Sequence, residues 1–217
     1  MNWSAKNNKR KNMEDVSSDD GQNPLNLLGL LSKKQKEPSG DNIYTIDNNI
    51  YFQDDITLDT ITTLNKEIRL MSSFLITMGN DYSIPPPPIR LHITSYGGSV
   101  HAALSAIDCI EESKVPVHTI IDGYAASAAT MISVCGAKRY IKKNASMLIH
   151  QLRAGTWGKM SDIEDEYINL QKTHELIKKI YINKTRLKKS NIAKILKHDL
   201  DWDAIECLAN GLVDEIL

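Results

Sequence analysis

The sequence predicts an α/β domain in which strand–turn–helix units follow one another. Residues 89–93 alternate apolar and polar side chains as a strand does, and a turn with paired Gly97 and Gly98 precedes a helical pattern over 100–110. A second unit begins at once with the apolar run 115–121, which leads into another helical pattern. Strands that alternate with helices in this way are typical of layered α/β folds.

The composition indicates an ordinary globular protein. A chain of 217 residues that is 41% hydrophobic fits one domain with a substantial core. Its 26 basic and 27 acidic residues give a net charge of −1, so neither nucleic acid nor an anionic membrane is an expected partner. No apolar run approaches the length of a membrane span, and the N-terminus lacks a secretory pattern.

Three cysteines, an odd number without metal-ligand spacing, predict reduced core thiols: Cys109, Cys135 and Cys207. We therefore expect no metal site, and we expect a cytoplasmic location or an equivalent reducing compartment.

Two regions differ in composition. Residues 1–41 are rich in Asn, Lys, Asp, Ser and Gly and predict a disordered extension or a removable propeptide, with a partner-binding arm as an alternative. An apolar island at 25–31 within them is long enough to dock in a groove. From residue 42 the composition becomes globular, which predicts a single domain over 42–217.

The residues before the first unit predict a hairpin and a helix. Runs at 43–46 and 49–52 have strand-forming residues on either side of a turn. Asp59 is a candidate N-cap for a helix that would end near Gly79, and Pro85–Pro88 would form a stiff connector.

The residues after the second unit predict two strands, over 139–142 and 147–150, and then helices. Candidate capping residues mark three helix starts: Ser161 with Glu164, Ser190, and Asp203 with Glu206, the last helix stopping at Gly211.

Ser127 is the leading candidate for a catalytic group. It is the only hydroxyl-bearing aliphatic side chain in the small-residue run 123–129, and it directly follows a predicted strand. A serine at a strand-to-helix turn lies where unpaired backbone N–H groups converge, which favours a developing oxyanion. The alternative is that Ser127 only caps the following helix.

His150 is the candidate base. Serine needs a base to take its proton, and His150 ends a predicted strand, where active-site groups often project. The alternative is a half-buried, hydrogen-bonded structural histidine. The Gly97–Gly98 pair could bring a backbone N–H beside a reacting carbonyl without obstruction by a side chain, although paired glycines also make ordinary turns.

Four segments resemble the proteolytic subunits of Clp proteases: 95–98, 123–129, 147–151 and 211–214. They occur in the family's order over roughly 49–217. The resemblance implies a crotonase-like α/β spiral of strand–strand–helix units with a protruding strand–helix handle.

Carried over residue by residue, the resemblance places the nucleophile at Ser127, the general base at His150 and the oxyanion-hole amides at Gly98 and Ala128. It also implies substrate-binding positions at Gly97, Gln151 and Leu152.

The resemblance assigns the orienting acid less directly. Counting back from the closing segment places the family's acid at Ile195, so a shift of about one helical turn is needed to reach Asp199. Asp201 is a close second, and Asp203 has a competing task as a helix cap.

The resemblance implies a serine endopeptidase that hydrolyses unfolded proteins or short peptides inside stacked, heptameric rings of its own subunits. It implies an AAA+ unfoldase as partner, ATP being used only there, and no cofactor of its own. It further implies that 151–157 forms a substrate-binding strand and that the helix over 161–184 interlocks two rings.

The sequence departs from the family pattern near the site. Tyr96 and Leu152 stand where the family has prolines, and Lys197–His198 replace the acidic residue and arginine that precede its catalytic acid. Two alternatives to a Clp-like peptidase are a non-catalytic ring subunit or adaptor and an acyl-CoA enzyme of the crotonase fold.

Overall fold

The computed structural model describes residues 42–217, and the eight strands within that range belong to one mixed sheet. The strands are β1 (Ile43–Ile46), β2 (Asn49–Phe52), β3 (Ile89–Ser95), β4 (Val117–Ala126), β5 (Lys138–Ile141), β6 (Ser146–Leu148), β7 (Asp201–Asp203) and β8 (Glu215–Ile216). The main path runs β1-β2-β3-β4-β5-β8, while β6 pairs with β4 and β7 pairs with β6.

Helices are interspersed with these strands, which confirms the predicted α/β layering. They are α1 (Leu58–Tyr82), α2 (Val100–Glu111), α3 (Ala128–Ser133), α4 (Met160–Lys184), α5 (Ile192–Leu196) and α6 (Ala204–Ala209). Helices α1 and α2 bury their apolar faces in a continuous core with the central strands, while most of α4 remains exposed.

The first two strands form the predicted hairpin. Strands β1 and β2 pair antiparallel with Ile46 opposite Asn49, so that Asp47 and Asn48 make the turn. Asp47 adopts φ 53°, a left-handed conformation that aspartate tolerates better than most residues. From β2 onward, β2, β3, β4, β5 and β8 pair in parallel.

Strand β4 extends to Ala126, beyond the predicted end at Ile121. Its first half pairs with β5, and its second half pairs with β6, with Ala126 opposite Leu148. The added pairing with β6 carries the strand through the small-residue run. Because β4 and β6 are parallel, their carboxyl ends lie at the same edge of the sheet.

Three predicted helix starts are wrong. Helix α1 is capped by Thr57 rather than Asp59, because the Thr57 hydroxyl accepts the Thr60 N–H at 3.2 Å, and the helix runs past Gly79 to Tyr82.

Helix α4 begins at Met160, before Ser161, because the Asp162 carboxylate accepts the Lys159 N–H at 3.1 Å. Asn191, rather than Ser190, stands at the start of α5.

The capping box at α6 is confirmed. The Asp203 carboxylate accepts the Glu206 N–H at 2.8 Å, and the Glu206 carboxylate accepts the Asp203 N–H at 3.0 Å.

The predicted strand over 151–157 is also wrong: the segment has no regular secondary structure and is exposed except at Leu152. A strand needs a partner to satisfy its N–H and C=O groups, and no described strand lies alongside this one. This region therefore consists of an irregular segment followed by helix α4.

All three cysteines are free and buried, as predicted. Burial raises the pKa of the Cys135 and Cys207 thiols to about 12, so both remain protonated at neutral pH. The predictions for residues 1–41, including the apolar island, lie outside the described residues. Among residues 42–217, no helix has both the length and the apolar character needed to cross a bilayer.

Candidate active site

Ser127 occupies the junction between β4 and α3 in a strained conformation. Its φ of 55° and ψ of −125° are unusual for a residue with a Cβ. The backbone N–H of Ser127 donates to the Leu148 carbonyl at 2.8 Å, which ties the junction to the end of β6. Its side chain makes no capping hydrogen bond to α3, so the helix-cap alternative is wrong.

Two buried hydroxyls, those of Thr130 and Tyr181, stabilise this junction. The Thr130 hydroxyl lies 2.6 Å from the Ser127 carbonyl oxygen and 2.6 Å from the Tyr181 hydroxyl. Burial raises the Tyr181 pKa, so its hydroxyl remains protonated at neutral pH and can donate. Helix α4, which carries Tyr181, thus contacts the element that positions Ser127.

Gly97 packs directly against Ser127. A Cβ added at Gly97 would lie 2.7 Å from the Ser127 Cβ and 3.1 Å from the Ala128 nitrogen, and Gly97 has φ 96°. Both the space and the backbone conformation therefore require glycine. The first of the paired glycines allows the turn after β3 to approach the candidate nucleophile.

Gly98 presents its amide on the side opposite Ile56. The Ile56 N–H donates to the Gly97 carbonyl at 2.7 Å, and the Ser99 N–H donates to the Ile56 carbonyl at 2.8 Å. In an extended chain successive residues direct their polar groups to alternate sides, so the Gly98 N–H points away from Ile56.

A second unused amide lies at Ala128, the first residue of α3, which has no preceding helical carbonyl to bond. Within residues 42–217, neither the Gly98 N–H nor the Ala128 N–H has a hydrogen-bond acceptor. These are the two amides at which the family resemblance implies an oxyanion hole.

His150 lies two residues beyond β6 and is half-buried. Its Nδ1 is 3.2 Å from Asp199 Oδ1, which is within ion-pair range. The angles do not meet hydrogen-bond criteria, however, and Nδ1 is buried with no hydrogen-bond partner in the described part of the chain. The carboxylate is thus beside the imidazole but not aligned with its N–H.

The three candidate acids have separate partners. Asp199 lies beside His150, Asp201 accepts a hydrogen bond from the Tyr124 hydroxyl at 2.9 Å, and Asp203 caps α6. Burial, together with the Asp201 carboxylate, raises the Tyr124 pKa to about 12, so that phenol remains a donor. Of the three, Asp199 is the one that contacts His150.

Ser127 and His150 lie at the same sheet edge because Ala126 and Leu148, which precede them, are paired. Within residues 42–217 the structure shows no hydrogen bond between the Ser127 hydroxyl and the His150 ring. Such bonds are often long in enzymes without substrate and shorten in the reacting complex.

The remaining predicted positions surround this edge. The Gln151 N–H donates to the Leu196 carbonyl at 2.7 Å, which fixes the start of the segment after His150. Leu152 is half-buried and packs against the core, whereas Trp157 is 97% exposed.

Sequence reasoning missed Arg153, whose guanidinium contacts the Asp199 carboxylate. The available signal was that Arg153 is the only charged residue in 151–157. Residues 42–217 contain no cluster of three or more side chains able to hold a metal ion.

Comparison with known proteins agrees with this arrangement. A family model described as Clp protease matches residues 39–217. The chain belongs to the Clp protease family. This confirms the resemblance found in the sequence and supports a hydrolase of the protease class.

Two Clp relatives are named ATP-dependent Clp protease proteolytic subunit. The protein from Streptococcus mutans serotype c is 39% identical over 133 residues, which cover 59% of this chain and 68% of the relative. The protein from Streptococcus suis is 35% identical over 141 residues, which cover 63% of this chain and 72% of the relative.

Proposed function

We propose that this chain is the proteolytic subunit of a Clp-type protease and acts as a serine endopeptidase. The observation that carries this proposal is the strained Ser127 at the sheet edge where β6 leads to His150, together with the two unused backbone amides of Gly98 and Ala128. A subunit with only a structural role needs none of these features, which disfavours the non-catalytic alternative. An acyl-CoA enzyme would not need the serine and histidine together.

The first chemical step is acylation. The Ser127 hydroxyl attacks the scissile carbonyl while His150 takes its proton, and the new oxyanion accepts hydrogen bonds from Gly98 and Ala128 N–H. His150 then gives the proton to the departing amine as the C–N bond breaks. The products of this step are a free amine and a Ser127 ester.

The second step is hydrolysis of that ester. His150 takes a proton from water, the hydroxide equivalent attacks the ester carbonyl, and the proton returns to Ser127 as the acid product leaves. Asp199 stabilises the imidazolium in both steps and holds the ring in the required tautomer. These groups complete the reaction without a metal or organic cofactor.

Substrate would bind to the irregular segment over 151–157. Its backbone is exposed, and an extended polypeptide could pair with it by main-chain hydrogen bonds, which do not depend on side-chain identity. Gly97, Gln151 and Leu152 would frame the entry to the site. The proposal therefore predicts low sequence specificity and a preference for unfolded chains or short peptides.

The exposed part of α4 supports assembly. Ile177 and Tyr181, near its carboxyl end, are its buried residues, and large apolar side chains nearer its start are exposed: Met160, Ile163, Tyr167 and Ile168. Such a face is typical of an interaction surface. We propose that it acts as the handle in stacked, heptameric rings built on a crotonase-like spiral.

The proposed partner is an AAA+ unfoldase, which would consume the ATP to which the relatives' names refer. The three buried free thiols are compatible with a cytoplasmic or other reducing compartment.

The test is Ser127→Ala, assayed with short peptides and an unfolded protein. We expect turnover to fall to background while native mass spectrometry shows the same assembly as wild type. Ser73→Ala, at an exposed serine of α1, is the matched control and should retain wild-type turnover. Wild-type turnover in Ser127→Ala would overturn the proposed function.

A further inference from the structure

Arg153 holds the carboxylate that faces the candidate base. Its guanidinium Nη2 contacts Asp199 Oδ2, while Oδ1 of the same carboxylate lies 3.2 Å from His150 Nδ1. The carboxylate therefore lies between a guanidinium and an imidazole, with one oxygen toward each.

No other described group fixes Asp199. It lies in the irregular connection between α5 and β7, its side chain is 45% exposed, and within residues 42–217 no backbone N–H donates to it. A carboxylate with that much freedom would otherwise rotate into solvent. Arg153 is thus the contact that keeps Oδ1 beside the imidazole.

This ion pair is poorly suited to a role in fold stability. The Arg153 side chain is 71% exposed, and ion pairs at that exposure contribute little to unfolding free energy because water screens them. The contact instead fixes the orientation of the Asp199 carboxylate, since a planar guanidinium restrains a carboxylate more than a flexible ammonium does.

Arg153 belongs to the irregular, exposed segment 151–157, whose start is anchored by the Gln151 N–H on the Leu196 carbonyl. The segment to which we propose that substrate binds therefore carries the residue that holds Asp199.

We infer that Arg153 is a positioning residue that holds Asp199 beside His150. The inference rests on the proposed function, because it assigns Asp199 the task of orienting the base.

The test compares steady-state kinetics of Arg153→Leu, Arg153→Lys, Asp199→Asn and the double variant Arg153→Leu/Asp199→Asn. In Arg153→Leu we expect kcat to fall about 10- to 100-fold, because misplacing a catalytic group lowers the rate by about that factor. We expect KM to stay within about twofold of the wild-type value. Arg153→Lys should recover part of the loss. In the Asp199→Asn background, Arg153→Leu should have no further effect beyond about twofold, since the two residues act as a unit.

Lys189→Leu, which removes a positive charge from an exposed site outside the candidate site, is the control and should match wild type. Wild-type kcat in Arg153→Leu, or losses that multiply in the double variant, would overturn the inference. Failure of the proposed function is distinguishable, because wild-type protein would then show no turnover at all.

Discussion

Residues 42–217 contain two histidine–aspartate pairs, and these differ in whether a ring nitrogen is free to transfer a proton. His92 Nδ1 lies 2.8 Å from Asp122 Oδ2, and its Nε2 lies 3.1 Å from Asn49 Oδ1. His150 has a carboxylate beside Nδ1 but no hydrogen bond there, and no described group bonds its other nitrogen.

The Asn49 side chain explains why His92 has no free ring nitrogen. Its Nδ2 donates to the Ile46 carbonyl at 3.1 Å, which turns Oδ1 toward His92. Oxygen atoms therefore contact both ring nitrogens of His92, and neither nitrogen is left for proton transfer. His92 is also 8% exposed and stacks on Tyr51 at 4.5 Å between ring centroids.

The comparison shows that a histidine–carboxylate pair is not a catalytic signature by itself. His92 lies within β3, whereas His150 lies beyond the end of β6, at the sheet edge where Ser127 also lies. A free nitrogen at a strand end allows proton transfer, whereas a ring bonded on both sides can only stabilise the sheet.

The largest expected effect is that of His150→Ala. Peptide turnover should fall about 10³-fold or more, because Ser127 loses its base, with the assembly unchanged. The measurement is kcat/KM on a short peptide, with native mass as the check on folding. Turnover within about tenfold of wild type would place the base elsewhere.

Asp199→Asn should have the next largest effect. An amide cannot stabilise the imidazolium, so we expect kcat to fall about 10²-fold or more. Asp201→Asn is the matched control, since Asp201 contacts Tyr124 instead, and it should lose no more than about threefold. The reverse ranking of the two variants would assign the orienting role to Asp201.

His92→Leu tests the other histidine–aspartate pair, His92 with Asp122. It leaves Asp122 without its partner in a largely buried position, so the free energy of unfolding in urea should fall by about 1–3 kcal/mol. At temperatures where the variant is folded, its kcat should remain within about threefold of wild type. A large loss of kcat without loss of stability would show that His92 takes part in chemistry.

Tyr124→Phe should have the smallest effect. It removes one partly exposed hydrogen bond to Asp201, which should cost about 0.5–1.5 kcal/mol of unfolding free energy. Because the Tyr124 pKa is raised to about 12, the phenol donates throughout the neutral range, and this cost should not change between pH 6 and about pH 9. A cost that changed across that range would contradict the assignment of Tyr124 as donor.

Local patterns in the sequence predicted the sheet edge well. The small residues around Ser127 and the strand before His150 carry short-range signals, and parallel pairing of β4 with β6 brings the two residues to one edge. Helix starts were less predictable because several capping residues compete within a few positions, as Thr57 and Asp59 do at α1.

Three other features depend on contacts that no local pattern encodes. Arg153 and Asp199 are 46 residues apart in sequence, and their contact follows from the path of the whole domain. The strand expected over 151–157 was implied by the family resemblance alone. A strand needs a pairing partner, and the local sequence does not encode that partner. The choice among Asp199, Asp201 and Asp203 likewise required coordinates, since all three lie within one short stretch.

The most direct test of the central claim is labelling with a fluorophosphonate followed by peptide mass spectrometry. Wild type and His92→Leu should both carry the label on Ser127, whereas His150→Ala should label at least about 10²-fold more slowly because the hydroxyl is no longer activated. Wild-type protein that remained unlabelled at Ser127, or a His150→Ala variant that labelled at the wild-type rate, would contradict the account.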